Sequence, residues 1–204
     1  YTGDSSVLDG VAGVPPFRGR GNTLVWSPTG DALAYTTAYG ARVWFNIGVP
    51  TFADVRQGQF EQIMWSPTGA YLAAEAEPST WWIYRREGTA LVLTSAIPAS
   101  TGIAWVSPTE LVLAPEAGGL SRMDLANGNR QTLLLDDTWV YGLPYQLPDG
   151  TLAVFGRQKS DADVQPGFGR LLGLAPDAPQ VSNLGQAPVE LRDLHWAPGG
   201  ELLV

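Results

Sequence analysis

Residues 23 to 37 read TLVWSPTGDALAYTT, and residues 62 to 76 read QIMWSPTGAYLAAEA. In the first stretch Ser27, Pro28, Thr29 and Gly30 suit a type I turn, with Ser at the first position, Pro presetting φ at the second and Gly at the fourth. Leu24, Val25 and Trp26 ahead of the turn favour strand. The small apolar run Ala32, Leu33, Ala34, Tyr35 behind it fits a strand buried between neighbours. Each stretch therefore predicts strand, tight turn, strand.

The pattern returns in decaying form as AWVSPTELVLA from Ala104, PYQLPDGTLAV from Pro144 and HWAPGGELLV from His195. Its prolines, Pro28, Pro67, Pro108, Pro148 and Pro198, recur at a period near 40 with one longer interval between the last two. Strand-turn-strand units at that period predict four-stranded propeller blades, because the helical repeats of similar length need helix pairs that Gly- and Pro-rich hairpins cannot form. Third strands are expected at ARVWFNIG (41–48), TWWIYRREG (80–88), GLSRMDLANG (119–128) and GRLLGLAPD (169–177), and outer strands at FADVR, ALVLTS, RQTLLLD and QVSNLG. The third and fourth copies carry an extra residue before the proline, Val106 and Leu147, and the third has Glu110 in place of glycine. Those two hairpins are expected to be bulged or differently turned.

These hairpins resemble the TolB-like and WD-repeat-like β-propellers, whose blades carry a Trp-Ser-Pro-Asp-Gly turn followed by a small apolar strand. The resemblance covers almost all 204 residues. It implies an all-β fold, a single propeller domain over 1–204 of about five four-stranded blades: 24–60, 61–100, 101–138, 139–188, and 189–204 completed by 1–20. VLDGVAGVPPF (7–17) aligns with the third and outer strands of the third copy, Asp9 on Asp124 and Gly13 on Gly128. Pairing of N- and C-terminal strands within one blade is thus expected to close the ring and remove a sticky edge. The resemblance also implies a bacterial protein in an extracytoplasmic setting, periplasmic or secreted, with the cytoplasm still open.

The formal charge of -8, with Lys159 the single lysine, repels a phosphate backbone and argues against nucleic acid. No run approaches the roughly 18 apolar residues that span a bilayer, so no membrane insertion is expected. The chain starts at Tyr1, as expected of a processed or excised piece. Zero cysteines exclude disulfides and thiolate metal sites.

Trp26, Trp65, Trp105 and Trp196 occupy one repeat position and are expected to pack between blades. Trp44, Trp81 and Trp82 lie in third strands, where alternation buries one of Trp81 and Trp82 and exposes the other. Trp139 is placed in the connection between the third and fourth blades. His195, the only histidine, precedes a core Trp and has no nucleophile motif beside it, so catalysis is not expected. SDADVQPG (160–167) has alternating oxygen ligands but Pro166 and Leu172 where a calcium loop needs Gly and Glu. No metal, no cofactor and no enzymatic activity are expected.

In a four-stranded blade, the loops between second and third strands emerge on the same side as the links between blades. That side collects Tyr39, Phe60, Trp139, Tyr141 and Phe168 with Glu75, Glu77, Glu116, Asp136 and Asp137. Aromatics ringed by acids suit a hot spot with a charged rim. The expectation is a monomeric, non-enzymatic scaffold that offers this face to a protein or peptide partner, basic or Arg-containing. The alternative is a lectin-like propeller with a shallow aromatic site for a small ligand or carbohydrate.

Overall fold

The computed structural model describes residues 24–37, 40–45, 51–58, 60–76, 79–147, 149–159, 169–174, 181–187, 195–196 and 202–203. Within these, four antiparallel sheets of four strands follow one another along the chain. The first holds β1 (Leu24–Trp26), β2 (Ala32–Thr37), β3 (Gly40–Phe45) and β4 (Thr51–Gln57). The second holds β5 (Phe60–Trp65), β6 (Tyr71–Ala76), β7 (Thr80–Glu87) and β8 (Ala90–Ile97). The third holds β9 (Ser100–Trp105), β10 (Glu110–Pro115), β11 (Leu120–Asp124) and β12 (Arg130–Leu134). The fourth holds β13 (Trp139–Gln146), β14 (Leu152–Gln158), β15 (Gly169–Leu174) and β16 (Val181–Ala187). A last hairpin pairs β17 (His195–Trp196) with β18 (Leu202–Leu203). No helix among the described residues is long and apolar enough to cross a membrane.

The turn chemistry does what the first hairpin promised. Gly30 N donates to Ser27 O at 2.9 Å, and Gly30 sits at φ +72°, where a side chain would be strained. Ser27 Oγ accepts from Ala32 N at 3.1 Å and so seals the start of β2. The second copy repeats the device, with Gly69 N donating to Ser66 O at 2.8 Å and Tyr71 N to Ser66 Oγ at 3.0 Å. The third copy turns differently. It pairs Trp105 with Leu111 where the first pairs Trp26 with Leu33, and Ser107 Oγ takes the amides of Thr109 and Glu110.

The second and third sheets are packed on both faces, so alternation there sends successive side chains into two different cores rather than into core and water. One core lies between the first two sheets, with Val43, Phe45, Ile63, Trp65 and Leu72. The next joins the second and third through Trp81, Ile83, Ile103 and Leu111. A third joins the third and fourth through Leu120, Tyr141, Leu152 and Val154. This corrects the reading of the Trp pair: Trp81 is buried in the second core while Trp82 is partly buried against the first. The repeat Trp also divides. Trp65 is buried and donates its indole N–H to Val25 O at 3.2 Å, tying the second sheet to the first. Trp105 is half-buried and lies 6.0 Å from Tyr71. Trp26, in contrast, is 49% exposed.

Candidate interaction face

The end of the sheets that carries the blade-to-blade links is stitched together by backbone hydrogen bonds. Ser100 N donates to Ser79 O at 3.1 Å, and Glu116 N to Ala99 O at 2.8 Å. Lys159 N donates to Thr138 O at 2.9 Å, while its ammonium reaches Ala117 O at 2.8 Å. The turn of the second blade, the link to the third, the turn of the third, the link to the fourth and the turn of the fourth thus form one continuous rim. Ser79 and Ala99 hold φ of 43° and 51°, a region that L residues enter only at a cost of about 1 kcal/mol or more. The rim can keep them there because both carbonyls are held by neighbouring loops.

Glycine lets two of these loops touch. A Cβ at Gly118, where φ is +101°, would lie 2.5 Å from Asp136 O and 2.7 Å from Trp139 O. At Gly119 it would lie 2.6 Å from Leu134 O. No side chain fits either place, so the β10–β11 turn lies directly against the link from β12 to β13.

Asp136 organises that link. Its carboxylate accepts from Thr138 N at 2.9 Å, Thr138 Oγ1 at 2.7 Å, Trp139 N at 3.3 Å and the Tyr141 hydroxyl at 2.5 Å. Burial pushes the carboxyl upward, but these four donors outweigh it and hold the group below the usual carboxylate range. Burial and the adjacent carboxylate together hold the Tyr141 phenol well above its ordinary value. Below them the Thr101 hydroxyl bridges Ala114 O and Tyr141 O, joining the third and fourth sheets.

The structure separates the residues collected from the sequence into three groups. Phe60 and Tyr141 are core residues: Phe60 opens β5 in the first core, and Tyr141 is 2% exposed in the third. Trp139 is the first residue of β13, partly buried on the third core, rather than part of a loop. Glu75 is half-buried within β6, opposite Gln62 and Trp81. Glu116 and Asp137 are exposed on the rim, and Asp136 is half-buried beneath it. Tyr39, Glu77 and Phe168 lie outside the described residues, as does the SDADVQPG segment. Among the described residues, no three His, Cys, Asp or Glu converge as a metal site.

Sequence reasoning missed Leu135, which is 88% exposed on the same link, one residue before the Asp136 cap. The run LLLDD carried the signal: its third leucine falls past the end of β12, so it has no core to enter. Also missed was the clasp at the other end of the sheets. There Arg86 donates to both Asp31 oxygens, at 3.0 and 2.6 Å, and its guanidinium stands 4.9 Å from the Phe45 ring. Arg86, Thr29 and Ser27 hold the Asp31 carboxyl far below its usual range against a burial effect that raises it.

No protein-family model matches the sequence, and no curated protein matches it. Solved structures do. The C-terminal WD40 domain of Sif2 superposes with a TM-score of 0.60 at 10% identity, over 88% of this chain and 50% of that one. TolB from Acinetobacter baumannii gives 0.57 at 15% identity, over 87% and 46%. The oligogalacturonate lyase of Vibrio parahaemolyticus gives 0.58 at 9% identity, over 87% and 56%. The chain thus spans about half the length of these structures. At such identities the likeness speaks for architecture, and it agrees with the four-stranded sheets, the shared cores and the repeated hairpins. The chain has the fold of the TolB-like and WD-repeat-like β-propellers.

Proposed function

We propose that this chain is a non-enzymatic binding scaffold whose partner, a protein or peptide with basic residues, docks on the rim built by the blade links. One observation carries the reading. On a rim whose backbone is held from loop to loop, the exposed Leu135 is accompanied by exposed Glu116 and Asp137, on a molecule of net charge -8. An apolar contact with acids around it favours an apolar residue flanked by Arg or Lys, and a preformed surface loses little entropy on binding. Asp136 and Tyr141 support a non-catalytic reading, since each satisfies the other and neither is left to act on a substrate. The fold itself is silent here, because WD40 domains and a lyase share it. An extracytoplasmic setting belongs to the same proposal.

The test is capture of partners on the immobilised chain beside three variants: Leu135→Ala, Glu116→Gln with Asp137→Asn, and Val92→Thr on a strand remote from the rim. Leu135→Ala is expected to weaken capture about tenfold, roughly the loss of one buried aliphatic anchor. The double charge variant is expected to slow association and flatten its salt dependence. Retention of full binding by both rim variants overturns the site. A glycan array that lights up while no protein is captured overturns the partner class in favour of a lectin-like module.

A further inference from the structure

The turn that joins β11 to β12 carries the one asparagine of the chain that is followed by glycine, Asn127 before Gly128. Asn22, Asn46, Asn129 and Asn183 precede Thr, Ile, Arg and Leu. Both residues of the pair are exposed, at the end of β11 and β12 away from the rim. Gly128 holds φ at +74°, and a Cβ there would meet nothing within 4 Å, so the backbone and not the packing calls for glycine.

Asparagine before glycine is chemically labile, because the next peptide nitrogen, once it has lost its proton, can attack the side-chain carbonyl carbon, and glycine has no side chain to shield it. The bond from Gly128 N to Asn127 Cγ forms and the bond from Cγ to Nδ2 breaks. The side-chain nitrogen takes up the proton that the peptide nitrogen lost and leaves as ammonia. One water then opens the cyclic imide. Opening at the new bond yields an aspartate at position 127, and opening at the original peptide carbonyl yields an isoaspartate whose main chain runs through Cβ. The folded turn opposes the first step. The Gly128 N–H, whose proton must go, donates to Asp124 O at 2.8 Å. Asn127 Nδ2, the leaving nitrogen, donates to Asp124 Oδ2 at 2.6 Å. Asn127 Oδ1 accepts from Asn129 N at 2.8 Å, which fixes the other end of the amide. Ala126 N donates to Asp124 Oδ1 at 2.8 Å and so orients the carboxylate.

We propose that Asn127 is a deamidation site latched by Asp124: attack waits for the turn to open, and the product cannot relatch. An aspartate at position 127 has no N–H to give Asp124 and sets two carboxylates where a hydrogen bond stood. The isoaspartate adds a backbone atom to the turn and shifts Gly128 N away from Asp124 O. Either product therefore loosens the turn for good. Leu125 N donates to Thr109 O and Asp124 N to Asn129 O, both at 2.9 Å. The loss thus reaches the β9–β10 hairpin and the turn end of the outer strand β12. The site marks the age of the molecule at the end opposite the rim, and it neither uses nor requires rim binding.

Mass spectrometry of the peptide covering residues 123 to 130 provides the test, with the full chain kept in warm, mildly alkaline buffer, either folded or in guanidinium chloride. Conversion is expected at Asn127 and not at Asn129. It is expected to be about tenfold or more slower in the folded chain, because attack draws only on the open fraction. Asp124→Ala is expected to raise the folded rate about tenfold, the effect on opening of losing a hydrogen bond to a charged group. Asp124→Asn keeps one acceptor oxygen, is expected to act in the same direction, and serves if the alanine variant does not fold, judged by its melting curve. Asn127→Asp mimics one product and is expected to speed amide exchange at Gly128 and Leu125 about tenfold while leaving Glu116 unchanged. Equal rates in the folded and unfolded chain, no conversion in guanidinium chloride, an unchanged rate in a folded Asp124 variant, or unaltered exchange in Asn127→Asp overturns the proposal.

Discussion

Asp136 shows how one residue can carry a local and a tertiary role together. It caps the link into β13 through three backbone and side-chain donors of its own loop, and it holds Tyr141 in the core between two sheets. Its carboxyl lies below the ordinary 3.8, so folding favours the charged form. A depressed acid contributes its stability fully above about pH 4, and that contribution fades as the pH falls through the folded value. Tyr141→Phe removes the one donor that comes from the core. At pH 7 it is expected to cost about 1–3 kcal/mol, the range for a hydrogen bond to a charged group. At acidic pH the cost should shrink, since the contribution of a charged Asp136 fades as the pH falls below its ordinary range. The Asp31 carboxyl is also held low but is common to both, so its effect cancels in the difference. Urea unfolding at the two pH values checks this, and equal costs would show that the phenol does not serve the carboxylate.

At the scale of the element, the hairpin is the unit that repeats, and its Trp reports where a neighbour sits. Trp65 is 6% exposed and bonded to the first sheet, so Trp65→Ala opens a cavity between blades and is expected to cost ~3–5 kcal/mol. Trp26 holds the same place in the motif but is 49% exposed, and Trp26→Ala is expected to cost only about 1 kcal/mol. Urea unfolding of both variants measures the contrast. Equal losses would mean that Trp26 is covered in solution. The hairpins were legible because Ser, Pro and Gly dictate the turn locally. The start of β13 was not: Trp139 is placed in a strand by its pairing with Gln158, and nothing in DDTWVYG announces where the loop gives way to the ladder.

For the whole molecule, ring closure turns on the first blade. Leu24, Trp26 and Phe52 are exposed on it, while Leu33, Tyr35 and Trp44 form a small buried cluster. The alternation of β1 to β4 sets these side chains on the face opposite the first core. The corresponding face of the second blade is the one that packs on the first. We propose that residues 1–20, which lie outside the described residues, complete the last hairpin into a blade that covers this face. Deleting them is expected to lower the melting temperature or drive aggregation through the exposed edge. An equally stable and soluble truncated chain would end the closure reading.

The sequence by itself determined the hairpins, their period and the four-stranded blade, because turn residues and β-prone runs act over a few neighbouring positions. Tertiary structure alone decided which aromatics face water. Tyr141 and Phe60 looked like loop residues available to a partner, yet both enter cores that form only when two sheets meet. Leu135 looked like part of a strand, yet it lies beyond the last ladder bond and stands in solvent. The Asp31–Arg86 clasp joins a turn of one blade to a strand end of the next, across 55 residues of chain. Period-two alternation assigns a side chain to one of two faces, and only the packing of neighbouring sheets determines whether that face is core or surface.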